Sequence, residues 1–314
     1  MTIRTSSPAV TKQAVTVSTD GMAALCFSFL YGGFLLIWQH TRRGLFETLE
    51  VMVVDQDGIA AFESIADIYA AYRPGYPPTL FESIEEMTAR PLRAAEVIDV
   101  GAGTGIATGL LKERCARVVA VEPGAAMATQ LRRLLPEVPL IRAIGEALPL
   151  KAASADIVTY AQSWHWTDPT RSTAEAMRVL RPGGALVLFW NLPDREIEWV
   201  AEQERRLLRY APIPTFPGAH PGYVRPGVTV VDVVRRCLPN TLPAVRRIHW
   251  SRSVPIEAHI ACLTSGSNLA ALPSDILSRL IANERTSLLD IFPGGVVDEA
   301  YLVELVVVPA SRAV

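Results

Sequence analysis

The segment that most constrains this chain runs from Ala95 to Glu122. AEVIDV (95–100) is a short apolar run of the kind that is buried on both faces of a parallel sheet. GAGTG (101–105) follows without a break. Ile106, Leu110 and Leu111 then line one face of a helix. A second apolar run, RVVAV (117–121), ends at Glu122. Strand, glycine turn, helix, strand and acid in that order form the first half of a nucleotide-binding α/β sheet. Glycines let backbone turn tightly and approach a ligand closely. An acid about twenty residues beyond such a loop can accept hydrogen bonds from ribose hydroxyls, and Glu122 stands 17 residues after Gly105.

The spacing separates two ligand classes. A dinucleotide loop reads G-x-G-x-x-G. Here the order is Asp99-x-Gly101-x-Gly103-x-Gly105, with Ile106 where the third dinucleotide glycine belongs. An acid two residues before the first glycine is a poor neighbour for pyrophosphate and a good one for an ammonium group. That disfavours an NAD(P) oxidoreductase, which stays as the alternative together with a non-catalytic cofactor-binding protein.

With these residues the chain resembles the class I S-adenosylmethionine-dependent methyltransferases, whose first motif VIDVGAGTG closely matches. The resemblance implies a Rossmann-like α/β fold: a seven-stranded, mostly parallel sheet with its last strand antiparallel, flanked by helices and carrying a helical cap. It also implies S-adenosylmethionine as cofactor. On that likeness the loop Gly101, Ala102, Gly103 and Gly105 meets the methionine part, Asp99 its amino group, and Glu122, followed by Pro123, the ribose hydroxyls. VPLIRAIGEALPL (138–150) resembles the third strand and the adenine-side loop. The family's adenine-binding Asp falls on Ile144, which leaves adenine to backbone near Gly145; Glu146 matches an acid of the subgroup and is equally suited to capping.

ADIVTYAQ (155–162) resembles the fourth-strand motif. Gln162, Ser163, Trp164, His165 and Trp166 are therefore expected beside the transferred methyl group. His165 is the candidate catalytic base or substrate contact, because an unperturbed imidazole titrates near neutrality. Trp164 and Trp166 are candidate substrate contacts through their aromatic faces; a packing role for all three is the competing reading. AMRVLRPGGALVLFW reads as helix, turn and fifth strand, with Pro182 ending the helix. FESIADIYAAYRPGYP (62–77) resembles the lead-in helix of type 11 domain proteins related to trans-aconitate methyltransferase. Within it Arg73 is expected at the cofactor carboxylate or an acidic substrate, with an ordinary helix-end arginine as the competing reading, and Tyr72 near the substrate, with Tyr69 and Tyr76 in the same cluster.

The likeness fades after residue 192. A variable cap is expected over 193–245, including the proline-rich stretch 211–226 with His220 and Tyr223, then strands at 246–250 and 301–308 around a helical stretch at 256–290. The acceptor is expected to be a small molecule methylated on oxygen, a carboxylate or a hydroxyl. Nucleic acid is not expected as a partner: AQSWHW replaces the amino-methylating N-P-P-Y signature, no Cys lies near that strand, and 30 basic against 32 acidic residues leave a net charge of −2. Four scattered cysteines without a CxxC pair argue against structural zinc, and no metal ligand set is assigned.

Residues 1–51 stand apart. MAALCFSFLYGGFLLIW (22–38) is uncharged and followed by Arg42 and Arg43. It suits a membrane anchor with the domain on the cytoplasmic side, an apolar helix on a surface, or an extension ahead of a start at Met52. The expected organisation is an extension over 1–51 and a cytoplasmic methyltransferase domain over 52–314.

Overall fold

The computed structural model describes residues 13–19, 22–31, 34–40, 70–210, 229–265, 269 and 272–310. Met1–Ala60 and Ala61–Val314 are separate compact units. In the first unit β1 (Gln13–Thr19), β2 (Met22–Tyr31) and β3 (Phe34–His40) form an antiparallel sheet. The helical readings of 22–38 are thereby corrected. Two apolar runs separated by Gly32-Gly33 carry the signature of a hairpin, and paired glycines inside a helix are unfavourable. Among the described residues no helix is long and apolar enough to cross a membrane.

The second unit holds a seven-stranded sheet in the order β6-β5-β4-β7-β8-β10-β9. Its strands are β4 (Glu96–Val100), β5 (Arg117–Val121), β6 (Leu140–Ile141), β7 (Ala155–Ala161), β8 (Leu180–Pro193), β9 (Ala244–Pro255) and β10 (Val296–Pro309). The first five are parallel; β10 runs antiparallel to both β8 and β9. The chain starts in the middle at β4, moves out to β6, then returns to β7. Order therefore reverses between β4 and β7, and such a switch point opens a crevice at the carboxyl ends of the strands.

Helices cover both faces. On one, α1 (Pro78–Thr88) and α2 (Ile106–Lys112) bury Leu80, Phe81, Ile84, Ala107 and Leu111 against Val97, Ile157, Val187 and Leu305. On the other, α4 (Pro169–Val179) and α6 (Val230–Cys237) close over Val158, Tyr160, Leu186 and Leu188. Between them in sequence come α3 (Ala125–Leu134) and α5 (Glu198–Leu207); α7 (Ile256–Thr264) and α8 (Ser274–Ile291) connect β9 to β10. The expected turn at Arg181–Gly184 lies inside β8 instead. The β7–β8 register jumps from Ala155↔Leu180 to Ile157↔Ala185, so the extra residues are absorbed as an irregularity, with Gly183 at φ 77°.

Of the expected cap over 193–245, residues 211–228 lie outside the described residues. α6 joins the core beside α4. α5 instead associates with α7 and α8 through a buried polar chain. Arg206 donates to Glu284, Gln203 Nε2 donates to Glu284 at 3.3 Å, and Gln203 meets His259 Nε2, whose Nδ1 lies 2.6 Å from Glu299. His220 and Tyr223 lie outside the described residues, as do Tyr69 and the stretch 52–69.

Candidate active site

Three loops meet at the switch point. The first, 101–105, leaves β4. Its Gly101 and Ala102 amides both donate to Val121 O of β5, at 2.8 and 3.1 Å. Gly101, Gly103 and Gly105 have φ of 69°, 59° and 93°, a region that side chains resist. The neighbours of each glycine differ. A Cβ on Gly101 would stand 2.4 Å from Ser163 Cβ, whereas one on Gly103 would meet nothing within 4 Å. Gly101 is needed for packing between loops, and Gly103 turns its bare side to open space.

Glu122 closes the loop from the β5 side. One of its oxygens accepts from the Gly103 amide at 2.8 Å and the other from the Gly124 amide at 2.6 Å. Burial raises its carboxyl above the ordinary range, and the two amides oppose that. Pro123 follows, half-buried, its carbonyl accepting from Arg142. Glu122 thus stands at the carboxyl end of β5, beside the open face of Gly103.

Asp99 is placed differently from the expectation. It is fully buried, accepting from Thr108 Oγ1 at 2.7 Å and Thr159 Oγ1 at 2.9 Å. Burial pushes its carboxyl up to about 6, against the pull of the two hydroxyls. A carboxylate under the loop, occupied by two threonines, supports the loop from below and does not present itself to a ligand's ammonium group. Ala102 is likewise buried, packed with Ala120, Leu131 and Val138.

The third-strand loop also departs from expectation. Gly145 is buried against Tyr160, whose hydroxyl donates to its carbonyl at 3.4 Å. Glu146 Oε1 accepts from the Asp168 amide at 2.7 Å, just ahead of α4. Asp168 itself caps α4, accepting from the Thr170 and Arg171 amides, so Glu146 braces the cap residue, and burial raises its carboxyl.

The loop after β7 forms the opposite wall. Gln162 takes φ 58° and donates from Nε2 to Asn191 O at 3.0 Å. Ser163 Oγ donates to Val100 O at 2.6 Å, tying this wall to the glycine loop. Trp164–Trp166 form a short 3-10 turn that turns the residues in different directions. Trp164 has no exposed surface and belongs to the core with Tyr160 and Leu188, so its expected substrate contact is corrected to packing. Trp166 is half-buried, its ring 5.0 Å from that of His165.

His165 is buried, and its Nδ1 lies 3.1 Å from Trp190 Nε1. Burial holds the imidazole down to about 4. An indole nitrogen only donates, so Nδ1 is the acceptor and the neutral ring carries its proton on Nε2. A ring in that state cannot take a proton while the bond stands. The catalytic-base expectation is corrected on this ground.

The lead-in segment crosses the same opening. Asn191, at the end of β8, donates from Nδ2 to Gly75 O at 2.9 Å and accepts from Trp250 Nε1 at 2.8 Å. Arg252 donates to the Tyr72 carbonyl at 2.9 Å. A Cβ on Gly75 would touch Leu110 of α2 at 3.8 Å. Residues 72–77 therefore bridge α2 and β8 above the switch point, with Arg73 half-buried, Tyr72 exposed, and Tyr76 edge-on to Phe189. Sequence reasoning missed Asn191, Trp190 and Trp250. The available signal was the polar Asn ending the apolar run ALVLFWN at the carboxyl end of a strand.

Among the described residues Asp194, Glu196 and His249 could offer a metal one ligand atom each. Asp194 Oδ2 and His249 Nδ1 already bond at 2.6 Å, which accounts for that pair without an ion.

Comparison with known proteins agrees with this geometry. A methyltransferase domain family model matches residues 98–188, the stretch from β4 through β8. An uncharacterised methyltransferase of Mycobacterium tuberculosis is 34% identical over 230 residues, covering 73% of this chain and 86% of that protein. An uncharacterised methyltransferase of Schizosaccharomyces pombe is 31% identical over 166 residues, 51% of this chain and 65% of that one. A solved structure described as a type II methyltransferase from Anaeromyxobacter dehalogenans superposes with a TM-score of 0.55 at 26% identity, covering 77% of this chain and 98% of that one.

Proposed function

Because this chain belongs to the S-adenosylmethionine-dependent methyltransferases, we propose that it methylates a small molecule on oxygen, a carboxylate or a hydroxyl. The single observation that carries the small-molecule reading is the lead-in segment. Its hydrogen bonds, Asn191 to Gly75 and Arg252 to Tyr72, fasten it to β8 and β9 beside the carboxyl ends of the parallel strands, a placement that supports a covered site over an open groove for a macromolecule.

The residues present fit the cofactor. Gly103 leaves its bare side open, as close approach of a ligand to backbone requires. Glu122 stands beside that opening with a carboxylate able to accept from the ribose hydroxyls in addition to its two amides. When bound, S-adenosylmethionine supplies a methyl group already activated on a sulfonium. The protein's own contribution is then position and exclusion of water. Orientation of two reactants supplies about 7–11 kcal/mol in favourable cases. In this reading Gln162, His165 and Trp166 are the acceptor-side wall, and Arg73 and Tyr72 belong to the lead-in segment fastened beside β8 and β9. Arg73 suits a carboxylate, on cofactor or acceptor, as a charge-assisted partner. Asp99, Thr108 and Thr159 hold the loop from beneath.

Calorimetric titration of the full chain with S-adenosylmethionine, S-adenosylhomocysteine and NADH tests the site. Micromolar binding of the two sulfur ligands and none of NADH is expected. A panel of small carboxylic acids, alcohols and phenols, read by S-adenosylhomocysteine release, tests the acceptor. Turnover confined to nucleic acid or protein would overturn the small-molecule reading.

A further inference from the structure

We propose that Glu299 is a positioning residue: one buried carboxylate orients both fastenings of the lead-in segment and so sets how tightly the site holds its cofactor. The inference rests on reading that segment as part of the S-adenosylmethionine site.

The arrangement starts from strand pairing. Glu299 stands opposite Arg252 in the β10–β9 register, and Tyr301 stands opposite Trp250. Residues two apart on a strand share a face, so these four side chains are neighbours on one face of the sheet. Glu299 is 1% exposed. Its Oε1 lies 2.6 Å from His259 Nδ1, and its Oε2 accepts from Arg252 Nε at 2.5 Å and from the Tyr301 hydroxyl at 2.9 Å. Burial would raise its carboxyl, but the bonds from His259 and Arg252 outweigh that and hold it below the ordinary range.

Two routes lead from this carboxylate to the lead-in segment. Arg252, oriented through Nε, donates from Nη2 to the Tyr72 carbonyl at 2.9 Å. Tyr301, oriented through its hydroxyl, stacks on Trp250 with ring centroids 5.3 Å apart. Trp250 donates to Asn191 Oδ1 at 2.8 Å, and Asn191 Nδ2 donates to the Gly75 carbonyl at 2.9 Å. Both routes end on main-chain carbonyls of one short segment, so they fix its backbone path whatever side chains stand there. Stability alone does not account for the ions. Desolvation offsets much of the attraction in a buried pair, and apolar residues of similar volume often serve as well. What the pair adds is direction: the guanidinium is a rigid planar fork, and bonding its Nε to Glu299 aims its Nη2.

The test is limited digestion of the full chain by chymotrypsin, with products identified by mass. Tyr72 is exposed, and the bond after it carries the carbonyl that Arg252 holds. Cleavage between Tyr72 and Arg73 therefore reports opening of the segment, at a rate set by the open population. Glu299→Met is expected to speed that cleavage about tenfold and to weaken S-adenosylhomocysteine binding about fivefold by calorimetry. A parallel rise at every chymotryptic site would mean general loosening and would overturn the proposal. Glu299→Met also strands Arg252 and His259, so a lower urea midpoint is expected. Combining it with Arg252→Met removes the ion pair as a unit. The midpoint is then expected to recover, while cleavage and affinity do not. Return of cleavage or affinity to the wild-type value in the folded double variant would make Glu299 a structural residue only and sink the proposal. Trp250→Phe keeps every ion and the ring stack and loosens only the Gly75 end. A cleavage rise of about threefold is expected there, and no rise overturns the proposal even if neither Glu299 variant folds. Digestion needs no ligand. A wild-type chain that ignores S-adenosylhomocysteine defeats the cofactor reading, while the cleavage rates still decide whether Glu299 holds the segment.

Discussion

Gly101 and Gly103 differ by two positions and share a left-handed backbone, yet substitution at each is expected to do different damage. In Gly101→Ala the new methyl stands 2.4 Å from Ser163 Cβ and 2.8 Å from its Oγ. Ser163 must retreat by about 1 Å to restore contact distance, which breaks its bond to Val100 O, worth roughly 1 kcal/mol. The left-handed φ adds about 1–2 kcal/mol, and overpacking in a closed site about 1–3 kcal/mol. The sum is roughly 3–6 kcal/mol of lost stability, seen as a lower urea midpoint with an unchanged slope. In Gly103→Ala no atom lies within 4 Å, so only the backbone term of about 1–2 kcal/mol remains. Its methyl fills the open side of the loop, and S-adenosylmethionine affinity is expected to fall at least tenfold. Adding Ser163→Gly to Gly101→Ala leaves only Ser163 Cα, at 3.8 Å, as an ordinary contact. A coupling of about 2 kcal/mol between the two changes is expected in a double-mutant cycle. Ser163→Ala keeps the offending Cβ and should give no rescue. Equal rescue by Ala and Gly, or equal destabilisation by Gly101→Ala and Gly103→Ala, would refute the reasoning.

Three further changes separate roles in the site. Glu122→Gln keeps the side-chain shape but turns one acceptor into a donor facing a backbone N–H; a ten- to hundredfold loss of S-adenosylmethionine affinity is expected by calorimetry, about 1.4–2.8 kcal/mol. Asp99 titrates at about 6 in the fold against an ordinary 3.8, so its contribution to stability is full below 3.8 and is lost as pH rises through 6. The stability advantage of wild type over Asp99→Asn should therefore shrink by about 2 kcal/mol between pH 4.5 and 7.5, as read by urea midpoints, and a constant difference would contradict the burial of an ionisable carboxyl. Trp164→Ala removes a fully buried ring and should lower stability by about 3–5 kcal/mol; a stable variant with selectively impaired acceptor binding would return Trp164 to the site.

The nucleotide-binding half of the fold was legible because its signals are local. A β-strand ending in three left-handed glycines needs no distant residue to be recognised, and Glu122 follows from counting along the next strand. The parallel order of β4 to β8 and the placement of 162–166 at the strand ends followed from the same pattern. Residues 22–38 form strands that their composition does not announce, because an uncharged run specifies burial more clearly than period.

The sequence by itself determined which residue types stand at the switch point: bare glycines, an acid at the end of β5, and an aromatic–histidine cluster after β7. Only the tertiary structure decided what each one does. Asp99 is a support because Thr108 and Thr159, 9 and 60 residues away, converge on its oxygens. Trp164 is core while its neighbour Trp166 is not, because a 3-10 turn sends successive side chains in different directions. His165 is a donor because Trp190, 25 residues on, reaches its Nδ1. A hydrogen-bond partner fixes protonation, tautomer and accessibility, and partners brought together by folding leave no mark in the spacing of the chain.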